Sequence, residues 1–366
     1  MAITKSHLLE DYLDLSADDL DKRITIAKET MGRRLLILGH HYQQDDVIKF
    51  ADFRGDSLRL SQEAAKSDGE FIVFCGVHFM AETADILTGE HQKVILPDLT
   101  AGCSMADMAN LYKVEKAWQD ITDIVGERNI LPVTYINSSA DLKAFCGRKG
   151  GSVCTSSSAE RIIRWALGEH GKIFFFPDEH LGRNSAVKMG IPEDEIIVWR
   201  RDEPMGGPMG GNDKEKIKKA RIILWDGFCS VHMLFLPKHV EYFRERYPGI
   251  NVIVHPECRR EVMELSDLCG STEYIINRVK ESPAGTAWAI GTEINLVNRL
   301  KKEHPDKTIF FLSPTVCLCS TMYRIDPQHL CWALENLVEG NVVNQIVVSE
   351  EEKKWAKIAL ERMLAL

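Results

Sequence analysis

The sequence predicts an α/β protein made of three similar αβα units with parallel sheets, and two observations carry the prediction. Three apolar runs end abruptly in polar, reactive side chains: Leu35-Leu-Ile-Leu-Gly-His-His-Tyr-Gln43, Leu131-Pro-Val-Thr-Tyr-Ile-Asn-Ser-Ser139 and Asn251-Val-Ile-Val-His-Pro-Glu-Cys258. Three further runs, Lys93-Val-Ile-Leu-Pro-Asp98, Arg221-Ile-Ile-Leu-Trp-Asp226 and Thr308-Ile-Phe-Phe-Leu-Ser-Pro314, each lead through a turn to cysteine: Cys103, Cys229, and Cys317 with Cys319. Continuous apolar runs between amphipathic stretches read as strands covered on both faces by helices, the hallmark of parallel sheets.

The units are expected near 30–110, 111–234 and 235–334, with a helical segment over 1–29 and C-terminal helices over 335–366. The middle unit is lengthened near 200–219 by Arg200-Arg-Asp-Glu-Pro-Met-Gly-Gly-Pro-Met-Gly-Gly-Asn212. Its paired glycines and prolines read as a flexible surface loop, without the spacing of a phosphate-binding loop. Residues Glu350–Leu366 have helical periodicity and are expected to pack on the outside.

At 366 residues the chain exceeds one ordinary core. Its net charge of −9, with scattered basic residues, argues against nucleic acid as a partner. No apolar run is long enough to suggest a membrane span, and Met1–Leu20 lacks a basic-then-apolar export pattern. A cytoplasmic location follows, where thiols stay reduced. The ten cysteines then read as metal ligands or buried thiols rather than disulfides.

Ligands of parallel α/β sheets gather beyond the carboxyl ends of the strands. His40, Tyr42, Tyr135, Asn137, His255 and Glu257 are placed there. A lone histidine is more often a hydrogen-bonded core residue, but a strand-end position beside other polar groups favours function for His40 and His255. Taken singly, Cys103, Cys229, Cys317 and Cys319 are ordinary buried thiols. Their parallel placement suggests a shared metal site, and soft thiolates suit iron–sulfur clusters, zinc or copper(I). No local Cys-x-x-Cys pair advertises zinc. Cys75, Cys146, Cys154, Cys269 and Cys331 read as buried or incidental, and Cys258 as a residue beside the site. Ser57, Ser156, Ser271 and Thr272 appear at helix starts, where backbone N–H groups favour anions. Ser157 with Glu160 fits a capping box.

Gly39-His-His-Tyr-Gln43, Ala51-Asp-Phe-Arg-Gly-Asp-Ser57, Gly76-Val-His-Phe-Met-Ala-Glu-Thr-Ala84, Tyr135-Ile-Asn-Ser-Ser-Ala140, Pro177-Asp-Glu-His-Leu-Gly-Arg183, His255-Pro-Glu-Cys258, Gly270-Ser-Thr272 and Gly291-Thr-Glu293 together resemble the quinolinate synthase family. The matches run in the family's order from about residue 35 to 335. The resemblance implies pseudo-threefold symmetry of the three units around a central site that holds one [4Fe–4S] cluster. It implies Cys103, Cys229 and Cys319 as the cluster ligands. Cys319 is preferred to Cys317 because the third ligand resembles Cys-x-x-Met, here Cys319-Ser-Thr-Met322.

The implied reaction joins iminoaspartate to dihydroxyacetone phosphate in de novo NAD biosynthesis, with L-aspartate oxidase as supplier of the imine. Tyr42 and Glu257 are the implied acid–base residues, with His40, His255 and His232 orienting or protonating substrate oxygens. Ser57, Tyr135, Asn137, Ser156, Ser271 and Thr272 join His40, His255 and Glu257 as substrate contacts. Asp178, Glu179 and His180 are assigned structural or domain-contact roles. An aconitase-type iron–sulfur dehydratase and a non-catalytic iron–sulfur sensor are the alternatives. Departures from the family pattern are the longer Cys146–Gly151 loop, Ser158 in place of asparagine, and the 200–219 insertion.

Overall fold

The computed structural model describes residues 7–201, 207–316 and 318–366. Its fold is α/β, with three largely parallel sheets flanked by helices. The first sheet contains β1 (Leu35–His40), β2 (Phe53–Gly55), β3 (Phe71–Cys75) and β4 (Lys93–Ile95). The second contains β5 (Ile130–Tyr135), β6 (Ser152–Cys154), β7 (Lys172–Phe176), β8 (Ile196–Trp199) and β9 (Ile222–Trp225). The third contains β10 (Asn251–Val254), β11 (Leu268–Cys269), β12 (Ala287–Gly291) and β13 (Thr308–Phe311). Finally β14 (Gln345–Ile346) pairs antiparallel with β4.

One strand order recurs. In each sheet the opening strand lies between the second and third, followed by a fourth: β2-β1-β3-β4, β6-β5-β7-β9 and β11-β10-β12-β13. The chain direction across the sheet therefore reverses beside β1, β5 and β10, which makes their carboxyl ends natural places for ligands. Every residue of β1 and β5 is buried, as expected for strands covered on both faces.

Local hydrogen bonding repeats as well. Asp52 closes a double contact with Ile37, its Oδ2 accepting from Ile37 N at 2.8 Å and its N donating to Ile37 O at 2.8 Å. Asp267 does the same to Val252, at 2.7 and 2.9 Å. The cysteine segments also share a plan. Met233 N donates to Cys229 O at 3.1 Å and Tyr323 N to Cys319 O at 3.0 Å, each at a short 3₁₀ turn, His232–Leu234 and Met322–Arg324. Helices then begin at Pro237 and Pro327, the same interval beyond each cysteine. That interval also separates Cys103 from the helix Leu111–Val125.

The residues form two compact units. One comprises Met1–Cys103 and Leu318–Val348, the other Ser104–Cys317 and Ser349–Leu366. The first sheet lies in the former and the other two in the latter. In the second unit the C-terminal helix Glu350–Ala365 packs along the helix Ala140–Arg148. Gly147 permits that approach: a Cβ there would lie 1.9 Å from Trp355 O. Ala356, Ala359, Leu360 and Met363 of the C-terminal helix are buried.

Part of the expected loop Arg200–Asn212, residues 202–206, falls outside the described residues. The remainder is tied down. Pro208–Gly211 make a 3₁₀ turn, Gly210 packs against Trp199, and Asn212 Nδ2 donates to Val198 O at 2.9 Å. Among the described residues no helix is long and apolar enough to cross a membrane.

Candidate active site

In the second unit, the end of β10 delivers a buried polar cluster. His255 N donates to Gly291 O at 3.1 Å, and the chain turns so that Cys258 N donates to His255 O at 3.0 Å. Glu257, inside this turn, is buried with His232, His255 and Tyr135. Glu257 Oε2 lies 2.9 Å from His232 Nδ1, a close approach that is poorly aligned as a hydrogen bond. Its Oε1 lies 3.8 Å from His255 Nδ1, and the Tyr135 side chain hydrogen-bonds to the carboxylate. The His232 and His255 rings stack at 4.6 Å between centroids and 22° between planes. His232 Nε2 is 3.5 Å from Thr292 Oγ1. Ligand atoms of Cys229, His232 and Glu257 all lie within 4.8 Å of one another.

The electrostatics of the cluster follow from burial opposed by pairing. Burial alone would raise Glu257, but the two imidazoles and the hydrogen bond from Tyr135 hold its carboxyl well below the usual carboxylate range, so it is ionised at neutral pH. Burial depresses His255 to about 3, against the attraction of Glu257, so its ring is neutral. Asp178 differs again. It is fully buried, its Oδ1 accepts from Leu181 N at 2.6 Å, and its Oδ2 has no partner. Burial first, and then the negative charge of Glu257, push it well above the ordinary aspartate range.

These shifts fix the direction of an acid effect. A histidine held neutral in the folded state leaves the unfolded chain to bind the extra proton. Stability present above pH 6.5 is therefore lost as pH falls from 6.5 toward 3. Glu257 adds its own loss below about pH 4.5. The His255 contribution is roughly 2 kcal/mol between pH 7 and 5. Urea unfolding at these two pH values should show it, and His255→Asn should flatten the difference. An equal drop in wild type and variant would remove His255 as its source.

In the first unit, β1 ends in His40, whose Nδ1 accepts from Tyr42 N at 3.1 Å. The His40 and Tyr42 rings meet edge to face at 4.9 Å. Ser57 opens the helix Ser57–Lys66 behind its cap Asp56, and it is buried. Cys103 and Cys319 belong to this unit and are partly exposed, as is Cys229 in the other. Cys317 lies outside the described residues.

The remaining expected contacts lie in the second unit. Asn137 follows β5 in a turn where Ser138 Oγ donates to Tyr135 O at 2.7 Å and Lys143 Nζ donates to Ser138 O. Ser156 and Ser271 line one cavity of about 480 Å³ with Asn184, Lys188, Cys269 and Tyr274. Ser271 caps the helix Thr272–Glu281, of which Thr272 is the first residue. The capping box expected of Ser157 and Glu160 does not form. Ser158 is the cap residue, its Oγ accepts from Thr155 N at 2.9 Å, and Glu160 pairs with Lys188 at 2.6 Å. The adjoining serines compete for the same turn, and spacing alone could not rank them.

Three residues near the site escaped the sequence reading. Lys143 is fully buried, a placement no periodicity would give to lysine, and Thr292 sits inside a matched motif without an assigned task. Asn184 follows directly on Pro177–Arg183. Asp178 and Glu179 take structural places, Asp178 as the helix cap and Glu179 in an ion pair with Arg183 at 2.9 Å.

Comparison with known proteins gives a consistent result. The family model for quinolinate synthetase A protein matches residues 22–365. Quinolinate synthase of Rhodopirellula baltica is 56% identical over 371 residues, covering 98% of this chain and 94% of the relative. That of Herpetosiphon aurantiacus is 56% identical over 360 residues, covering 98% and 95%. That of Corynebacterium glutamicum is 51% identical over 360 residues, covering 98% and 90%.

Proposed function

The chain belongs to the quinolinate synthetase A family, and we propose that it condenses iminoaspartate with dihydroxyacetone phosphate to quinolinate, releasing phosphate and two waters. The observation that carries the reading is the buried grouping of Tyr135, His232, His255 and Glu257 beside Cys229. An ionised carboxylate and a neutral imidazole shielded from water are suited to moving protons rather than to filling a core.

In this reading Glu257 accepts the proton from the carbon next to the imine, making that carbon a nucleophile. Tyr135 holds the carboxylate in place, and His232 stabilises it at Nδ1. His255, neutral, donates or accepts a hydrogen bond at a substrate oxygen. Tyr42, oriented by the ring of His40, is the acid that protonates a departing hydroxyl. Ser57, Asn137, Ser156, Ser271 and Thr272 bind the carboxylates and phosphate, three of them at helix starts where anions are favoured.

The cysteines fit an iron–sulfur cluster. Burial pushes the thiols of Cys75, Cys269 and Cys331 to about 12 and raises those of Cys146, Cys154 and Cys258. Thiols held neutral in this way are poor ligands. Cys103, Cys229 and Cys319 are partly exposed, as is Cys269, and on the family pattern we assign the first three as ligands of a [4Fe–4S] cluster. With three thiolates, such a cluster supplies a Lewis-acidic iron with an open position. The reading includes a cytoplasmic location and supply of the imine by L-aspartate oxidase.

The test is direct. Protein purified and loaded with iron and sulfide without oxygen should form quinolinate from dihydroxyacetone phosphate and freshly generated iminoaspartate. Failure of cluster-loaded protein to do so, with turnover of a hydroxy acid instead, would transfer the chain to the aconitase-type chemistry.

A further inference from the structure

Tyr135 and Glu257 come from different sheets of the second unit, Tyr135 from the end of β5 and Glu257 from the turn after β10. Their hydrogen bond therefore needs something that sets one sheet's loop against the other. The helix Glu179–Lys188 supplies a rigid base for this. Asp178 caps its first turn, and Gly182 lets it sit flush on β7 and β9. A Cβ at Gly182 would lie 2.6 Å from Leu224 Cδ2 and 2.7 Å from Phe175 Cδ1.

Asn184 projects from this helix and is 2% exposed. Its Nδ2 donates to Pro256 O and to Cys258 O, both at 2.8 Å. Those carbonyls stand immediately before and after Glu257. Both partners are acceptors, so the nitrogen must face them and the amide has one orientation. Its Oδ1 is buried and makes no hydrogen bond to another protein group.

We propose that Asn184 is a positioning residue for Glu257, gripping the chain on both sides of it so that the carboxylate stays within reach of Tyr135 and His232. This rests on the reading of Glu257 as the catalytic base. A turn left ungripped lets the side chain it carries shift, and a displacement of about 1 Å at the reacting group can cost about 10²-fold in rate. A donor clamp on a capped, close-packed helix removes that freedom.

The experiment uses Asn184→Leu, which keeps the volume and removes the donor, and Asn184→Ala, with Glu257→Gln in parallel. Both Asn184 variants should lose about 10- to 100-fold in kcat while KM stays within about threefold. Iron and sulfide content and melting temperature should stay near wild type, and amide exchange at Glu257 and Cys258 should speed up. Either of two results overturns the inference: kcat within twofold of wild type in both variants, or a loss of rate that merely follows loss of melting temperature and circular dichroism. Wild-type turnover in Glu257→Gln would instead remove the base assignment itself. An inactive Glu257→Gln beside active Asn184 variants would sink the positioning role alone.

Discussion

Glu257→Gln is expected to lower turnover about 10³-fold with little change in fold, because general-base catalysis contributes typically about 10²–10⁴. The substitution is close to isosteric and keeps an oxygen to accept from Tyr135. It removes the charge and the basicity. Glu257 is ionised although buried, held so by its neighbours, and no other described carboxylate shares its contacts with His232 and His255. Asp178 is committed to its helix, its Oδ1 accepting from Leu181 N at 2.6 Å. The measurement is kcat under anaerobic conditions, normalised to iron and sulfide per chain. A variant that keeps a third or more of wild-type turnover would end the assignment of Glu257 as base. Acid stability offers an independent check, since the variant should no longer lose the stability that Glu257 contributes below about pH 4.5.

Much of the fold was legible because burial on both faces leaves unbroken apolar runs. The six runs read from the sequence correspond to β1, β4, β5, β9, β10 and β13. Lys172–Phe176 is as apolar as any of them but ends in Pro177-Asp-Glu, with no cysteine close beyond it and its histidine, His180, three residues past the proline. β2 and β11 were illegible for a different reason. They have three and two residues, and β2 is largely exposed, so pairing with β1 and β10 defines them rather than composition.

The candidate site divides in the same way. Glu257 and His255 stand at the tip of an apolar run, where position alone marks them. His232 lies in a 3₁₀ turn with no periodicity, and only the family pattern singled it out. Asn184 could not be found from the sequence at all. Its role depends on carbonyls far along the chain, and an asparagine inside an amphipathic helix has the appearance of any solvated polar residue.

Serine in place of Cys103, Cys229 or Cys319 is expected to abolish the visible absorbance of the cluster and the activity with it, whereas alanine at Cys75 or Cys331 should leave both nearly intact. The contrast is one of burial. Burial pushes the thiols of Cys75 and Cys331 up to about 12 and encloses both side chains. The three proposed ligands are partly exposed and precede their following helices by one shared interval. That interval also favours Cys319 over its neighbour Cys317. Cys319 stands to the turn Met322–Arg324 as Cys229 stands to His232–Leu234, down to the backbone bond each carbonyl accepts, so Cys317→Ser should retain the cluster. Iron and acid-labile sulfide per chain, measured on anaerobically loaded variants, separate the possibilities. Loss of cluster in Cys317→Ser with retention in Cys319→Ser would move the ligand by two residues and break the parallel with Cys229. Retention in Cys229→Ser would go further, because it would detach the metal from the cysteine grouped with His232 and Glu257.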